Sequence, residues 1–156
     1  DMKVVGYDPV LAPTAAAQLG IESFASVDEI LPKCDFITVH TPLTEQTKDM
    51  IGAKQVALLP KGARVINCAR GELVDEKALA AAIEEGRIAG ASLDVYESEP
   101  PAADCPFFQF DNVVLTPHIA SATIPTRLAM ADLAADNLIG FLVHGKALTP
   151  LNAPAR

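Results

Sequence analysis

The sequence predicts an α/β domain built on a doubly wound parallel sheet, and three observations predict it. Short apolar runs alternate with helix-like segments along the chain, the pattern of successive βαβ units. The runs are apolar at nearly every position, as strands covered on both faces are. Polar residues able to do chemistry follow the runs, at what would be the carboxyl ends of the strands, where open α/β sheets bind ligands.

Five runs read as strands: Lys3–Tyr7 (KVVGY), Phe36–His40 (FITVH), Arg64–Cys68 (RVINC), Ala91–Val95 (ASLDV) and Val113–Leu115 (VVL), with IESF at 21–24 a weaker sixth. Between them, TAAAQL is closed by Gly20, a helix-stopping residue. SVDEIL opens with Ser26 and Glu29 at capping-box spacing. VDEKALAAAIEEG sets Ala78, Leu79, Ala82 and Ile83 on one face, with acidic residues early and Gly86 as its stop. The long IPTRLAMADLAADNLIGFLVHG repeats Leu128, Ala131, Ala135, Leu138 and Leu142 at helical spacing. SEPPAADCP (98–106) is a loop, and the tail LTPLNAPAR is too rich in proline for a helix.

The chain's 156 residues suit one domain with a core, which with 5% aromatics and no Trp is built of Ala, Val, Leu and Ile. A net charge of −8 argues against nucleic acid or an anionic membrane surface as partner. Any acidic substrate must therefore be met by a few placed cations. The three cysteines, Cys34, Cys68 and Cys105, are odd in number and lack short metal-type spacing, so no metal site and a reduced, cytoplasmic setting are expected. No apolar run approaches the roughly 20 residues of a membrane span. The opening DMKVVGYDP enters a strand pattern almost at once, which reads as a piece of something longer.

Asp8 follows the first strand; Thr41 and Pro42 the second; Cys68, Ala69, Arg70 and Gly71 the third. ASLDVY contains Asp94 and leads to Glu99, and His118 and Ser121 follow the last strand. One rim thus collects carboxylates, one arginine and one histidine. Asp8 either begins a turn with Pro9 or accepts the ribose hydroxyls of a dinucleotide. No basic residue follows in DPVLAP, which favours NAD over NADP. Arg70 before a permissive Gly71 suits bidentate carboxylate binding. His40 reads as a strand-end residue, His144 as a helix C-terminal cation and Cys68 as a small buried filler.

VHTPLTEQTKDMIG, INCARGELVDEKAL, GASLDVYESEP and LTPHIASAT resemble, in order and spacing, the signatures of the D-isomer-specific 2-hydroxyacid dehydrogenases, over essentially the whole chain. The resemblance implies a Rossmann-like NAD-binding domain and a catalytic trio of His118 as acid/base, Glu99 as its carboxylate partner and Arg70 as substrate clamp. It further implies NAD contacts at Asp8, Thr41, Pro42, the Cys68–Ala69–Arg70 turn, Asp94, His118 and Ser121. The implied substrate is a small 2-oxo or 2-hydroxy acid such as hydroxypyruvate, glyoxylate or 3-phosphoglycerate, and the implied assembly of the full-length protein is a homodimer. Glu99 separates the chain from formate dehydrogenases, which resemble it but carry glutamine there. The other reading is a non-enzymatic NAD-sensing module resembling the C-terminal-binding-protein corepressors. A third is a structural fragment that binds nothing.

On this resemblance residues 1–145 form a partial NAD-binding domain, with 124–145 a long helix leading back toward a substrate domain, and 146–156 a tail belonging to that domain. The first strand and the Gly-rich phosphate turn are expected before Asp1, so the fragment alone is expected to be inactive. The absent strand would lie between Lys3–Tyr7 and Phe36–His40. Unpaired backbone there is costly, so that slot is expected to be filled by further protein, or closed by direct pairing of those two strands.

Overall fold

Every strand pairs parallel to its neighbour in the computed structural model, which describes residues 2–151. The strands are β1 (Val5–Gly6), β2 (Glu22–Ser23), β3 (Phe36–Val39), β4 (Arg64–Asn67), β5 (Gly90–Leu93) and β6 (Val113–Leu115). The helices are α1 (Pro13–Gln18), α2 (Val27–Ile30), α3 (Ala53–Leu58), α4 (Glu76–Glu84) and α5 (Ile124–His144). All six expected strands form, each within a residue or two of its expected span and often shorter. The six-residue helix α3 had no counterpart in the sequence reading. The chain divides into two compact units, Asp1–His118 and Ile119–Arg156.

In the first unit β3–β4–β5–β6 form one sheet, in that order, and β1–β2 form a second. Register aligns Ile37, Val65, Ala91 and Val113 in one row and Val39, Asn67, Leu93 and Leu115 in another. Side chains alternate between faces along a strand, so these rows share one face. That face is the core: Val39, Val65, Ala91 and Leu93 are buried against Val56 and Leu59 of the α3 region and Leu79, Ala82 and Ile83 of α4. The opposite face carries Phe36, Thr38, Arg64 and Val114, all exposed, with the Arg64 guanidinium over the Phe36 ring at 5.4 Å. The apolar strands are therefore not covered on both faces among the described residues. β1 and β3 do not pair directly, so each keeps one edge without a strand partner among the described residues.

Caps explain the helix starts. The Ser26 hydroxyl accepts from Glu29 N–H at 3.3 Å, and Glu29 Oε2 accepts from Ala25 N–H at 3.2 Å, one residue earlier than in the usual reciprocal box. Asp75 caps α4 by accepting from Ala78 N–H at 3.0 Å. The expected stops Gly20 and Gly86 both have positive φ, as a chain leaving a helix requires.

Two further expectations are corrected. Cys68 is exposed, not a buried filler: β4 ends at Asn67, so Cys68 already belongs to the turn and leaves the sheet. The apolar repeat of α5 forms no core within its unit. Leu128, Ala131, Ala135, Leu138 and Leu142 are all exposed, and none of the helix is buried. α5 is otherwise well specified, with Thr123 as N-cap, His144 in its last turn and Gly145 at φ 66°. Asn137 ties it to the following segment through Thr149, whose N–H it accepts at 2.8 Å.

Candidate active site

The turns after β3 and β4 build one wall. Thr47 fastens the first by donating its hydroxyl to Pro42 C=O at 2.7 Å. The same loop then runs beside the segment after Arg70: Asp49 N–H donates to Glu72 C=O at 2.8 Å and Ile51 N–H to Leu73 C=O at 3.1 Å. At the end of β4 the buried Asn67 folds the second turn. Its amide nitrogen donates to Arg70 C=O at 2.8 Å, and its oxygen accepts from Ala69 N–H at 3.1 Å. Together the turns enclose an open cavity of about 370 Å³ lined by His40, Thr41, Pro42, Leu43, Ala69 and Arg70. Arg70 curls over its own turn, donating from Nη1 to Ala69 C=O at 2.7 Å.

Gly71 sits where that turn meets the loop after β5. A Cβ there would come within 2.0 Å of the carbonyl carbon and oxygen of Tyr96. Its glycine is thus required by close approach, not by a left-handed φ.

The turns after β5 and β6 build the second wall. Asp94, buried, accepts from the Thr116 hydroxyl at 2.5 Å. The Tyr96 hydroxyl lies 3.2 Å from Leu93 C=O and 3.0 Å from Thr116 C=O, tying the two strand ends together. Two residues beyond Thr116 the backbone turns left-handed, with His118 at φ 53°. A non-glycine residue there is uncommon, though histidine is enriched in that region, and such conformations cluster at functional sites. His118 Nδ1 stands 2.7 Å from Glu99 Oε2, while Glu99 Oε1 accepts from Tyr96 N–H at 3.2 Å. The hydrogen bond to His118 holds the Glu99 carboxyl below its ordinary range, helped by the Tyr96 N–H and, least, by the Arg70 charge.

The structure therefore brings Glu99 and His118 into contact and gathers Thr41, Pro42, Ala69 and Arg70 around one cavity. Arg70 reaches Glu99 only through its field. Asp8 is exposed just beyond β1, and its Oδ1 accepts from Val10 and Leu11 N–H at 2.8 and 3.1 Å. It is thus a turn-former whatever else it does. Ser121 lies in the second unit, beside Arg127 and Met130 around a shallow cavity. No helix among the described residues is long and apolar enough to cross a membrane, and no His, Cys, Asp and Glu cluster there could hold a metal.

The donor set fits a dinucleotide. Parallel strands present Asp8, the Thr41–Pro42 and Cys68–Arg70 turns and Asp94 after their carboxyl ends, offering a carboxylate for ribose, apolar walls for a planar ring and a buried acceptor.

Residues 1–120 match the family model described as the D-isomer specific 2-hydroxyacid dehydrogenase, NAD binding domain. The chain belongs to that family. It is 41% identical over 153 residues to the D-3-phosphoglycerate dehydrogenase of Methanocaldococcus jannaschii, covering 98% of this chain and 29% of that protein. It is 44% identical over 140 residues to the glyoxylate reductase of Korarchaeum cryptofilum, covering 90% and 42%. The holo form of Rhodotorula graminis D-mandelate dehydrogenase superposes with a TM-score of 0.89 at 33% identity, over 97% of this chain and 44% of that one. The chain thus spans less than half the length of these dehydrogenases.

Sequence reasoning passed over Asn67, Thr116 and Tyr96, which shape this dehydrogenase-family site without being its expected chemical groups. Asn67 left a signal: an amide closing an apolar strand has to find partners, and a turn supplies them.

Proposed function

We propose that this chain carries the NAD-binding and acid–base apparatus of an NAD-dependent D-2-hydroxyacid dehydrogenase, the activity being that of the whole protein. The observation that carries this reading is the 2.7 Å contact between Glu99 Oε2 and His118 Nδ1 at the carboxyl-end rim of a parallel sheet. With Nδ1 facing Glu99, the ring presents Nε2 as the proton-exchanging atom. NAD, when bound, supplies or accepts the hydride. His118 gives a proton to the oxygen of a 2-oxo acid, or takes one from the hydroxyl of a 2-hydroxy acid. Glu99 fixes the ring's orientation through Nδ1. Arg70, turned out from Ala69, grips the substrate carboxylate with its fork and polarises the adjacent carbonyl. Asp8 takes the ribose hydroxyls through the carboxylate oxygen that its turn leaves over, Thr41, Pro42 and the Cys68–Arg70 turn flank the cofactor, and Asp94 completes its contacts.

The substrate is a small 2-oxo or 2-hydroxy acid; the names of the relatives point to glyoxylate and 3-phosphoglycerate, and hydroxypyruvate is the third candidate. The bare apolar stripe of α5 supports a homodimer, and three free cysteines support a reducing, cytoplasmic setting. The test is NADH oxidation by the whole protein with hydroxypyruvate, glyoxylate and phosphohydroxypyruvate in turn. Turnover of at least one, abolished by His118→Ala, is expected. NADH binding with no turnover of any would replace this reading by that of a cofactor-sensing module.

A further inference from the structure

Two glutamates outside the expected trio hold each other's backbone. Glu76 opens α4, where N–H groups lack intrahelical partners, and its N–H lies 3.4 Å from Glu97 Oε1. In return Glu76 Oε1 accepts from Glu97 N–H at 2.8 Å, the tighter arm of the pair. Glu76 is half-buried while Glu97 is exposed. Burial pushes the Glu76 carboxyl above its ordinary range, the Glu97 N–H opposes this, and the Glu97 charge adds to it. A like-charged pair at a partly buried site is an electrostatic cost that a helix cap alone does not require, since Asp75 already caps α4.

What the arrangement fixes is the Tyr96–Glu97 peptide. On one side the backbone of Gly71 lies against it so closely that no side chain fits between. On the other, the Glu76 carboxyl holds its N–H. One atom group back along the chain, the Tyr96 N–H holds the Glu99 carboxylate that faces His118. The peptide is therefore the joint between the turn that carries Arg70 and the loop that carries Glu99.

We propose that Glu76 is a positioning residue: its carboxyl clamps the Tyr96–Glu97 peptide against the Arg70 turn and so sets Glu99 opposite His118. The proposal rests on the dehydrogenase reading for its purpose, but its geometry is tested without turnover. Glu99 titrates low because it bonds His118 and Tyr96 N–H, so its titration midpoint, followed by carbon NMR, reports whether it is in place.

Glu76→Ala removes the acceptor and should raise the Glu99 midpoint toward that of an ordinary glutamate. Glu76→Gln keeps an acceptor oxygen and should leave the midpoint where it is. In the whole protein Glu76→Ala should lower kcat about tenfold, with KM for NADH unchanged and Glu76→Gln restoring most of the loss. If Glu76→Ala does not fold, Glu76→Asp, shorter by one methylene, gives the same reading. A folded Ala or Asp variant with the wild-type Glu99 midpoint overturns the proposal, as does Glu76→Gln behaving like Glu76→Ala. A shifted midpoint in a protein that turns over no 2-oxo acid leaves the clamp standing and removes only the dehydrogenase reading.

Discussion

Glu99 bonds with both carboxylate oxygens at once, Oε2 to His118 Nδ1 at 2.7 Å and Oε1 to Tyr96 N–H at 3.2 Å, so the imidazole is referred to the backbone through one side chain. Its carboxyl is held low in the folded state, chiefly by His118. A depressed carboxyl contributes stability that is present above the unfolded value, about 4.3 for glutamate, and lost as pH falls through the folded value. Glu99→Gln should therefore be slightly less stable than wild type near neutrality and converge with it below about pH 4, which flattens the acid limb. The pair is partly exposed, so the effect is small. Urea unfolding at a series of pH values measures it, and an unchanged acid limb in the variant contradicts the coupling.

His118→Ala in the whole protein should lower turnover at least about a hundredfold, the usual loss on removing a general acid. Arg70→Lys replaces a planar fork by a point charge. It should raise KM for the oxo acid at least about tenfold, the equivalent of one charge-assisted hydrogen bond of about 1.5 kcal/mol. Steady-state kinetics separate the two, because the first acts on kcat and the second on KM. An unchanged KM in Arg70→Lys would remove Arg70 as the clamp.

Asp8→Asn tests the cofactor end. Asparagine keeps an oxygen for Val10 and Leu11 N–H, so the turn should survive and the melting temperature should hold. The charge is lost, so NADH should bind about tenfold more weakly. NADPH should bind no worse, since its 2′-phosphate is no longer repelled. NADH fluorescence titration gives both constants. Equal weakening of the two would show that Asp8 acts through its turn alone.

The Glu76 carboxyl is pushed up by burial, which reverses the sign seen at Glu99. Here the folded state disfavours the charged form, so stability from this group is present below the ordinary glutamate value and falls away as pH rises through the raised one. Glu76→Gln should accordingly be more stable than wild type at neutral pH and equal to it near pH 4. Thermal melts at the two pH values decide this. A variant less stable at neutral pH would mean that the charge itself, not only the acceptor, holds the loop.

The order of strands was legible because each is a short apolar run bounded by turn residues, and Gly20, Ser26 and Gly86 mark helix limits by chemistry that needs no tertiary context. The Glu99–His118 contact followed only from resemblance, since nineteen positions separate the two and no local pattern joins them. α3 escaped because six residues hold too few turns for a periodic signal and, unlike the similarly short α1 and α2, it has neither a side-chain cap nor a glycine stop. The Leu128-to-Leu142 repeat did mark a helix, but periodicity says which face is apolar and not what covers it. Cys68 was misplaced by one residue of strand length, enough to move a side chain from core to solvent. Asn67 and Glu76 act on backbone amides of other turns, and such partners exist only once the turns are folded.

Gly71→Ala probes the joint on which both walls depend. The added Cβ would meet the Tyr96 carbonyl group at 2.0 Å and Glu97 N at 2.5 Å, all backbone, so no side chain can rotate away. One of the two segments has to move. Forcing atoms into a packed site costs roughly 1–3 kcal/mol, and backbone on both sides places this case at the upper end. For a chain of this size each kcal/mol lowers the melting temperature by about 2–4 °C, so calorimetry should show a fall of several degrees. Because the Tyr96 N–H lies one atom group before the displaced peptide, the Glu99 titration midpoint should rise in the same variant. A lower melting temperature with an unmoved midpoint would mean that strain is relieved on the Arg70 side, and Arg70-dependent KM would then carry the change instead.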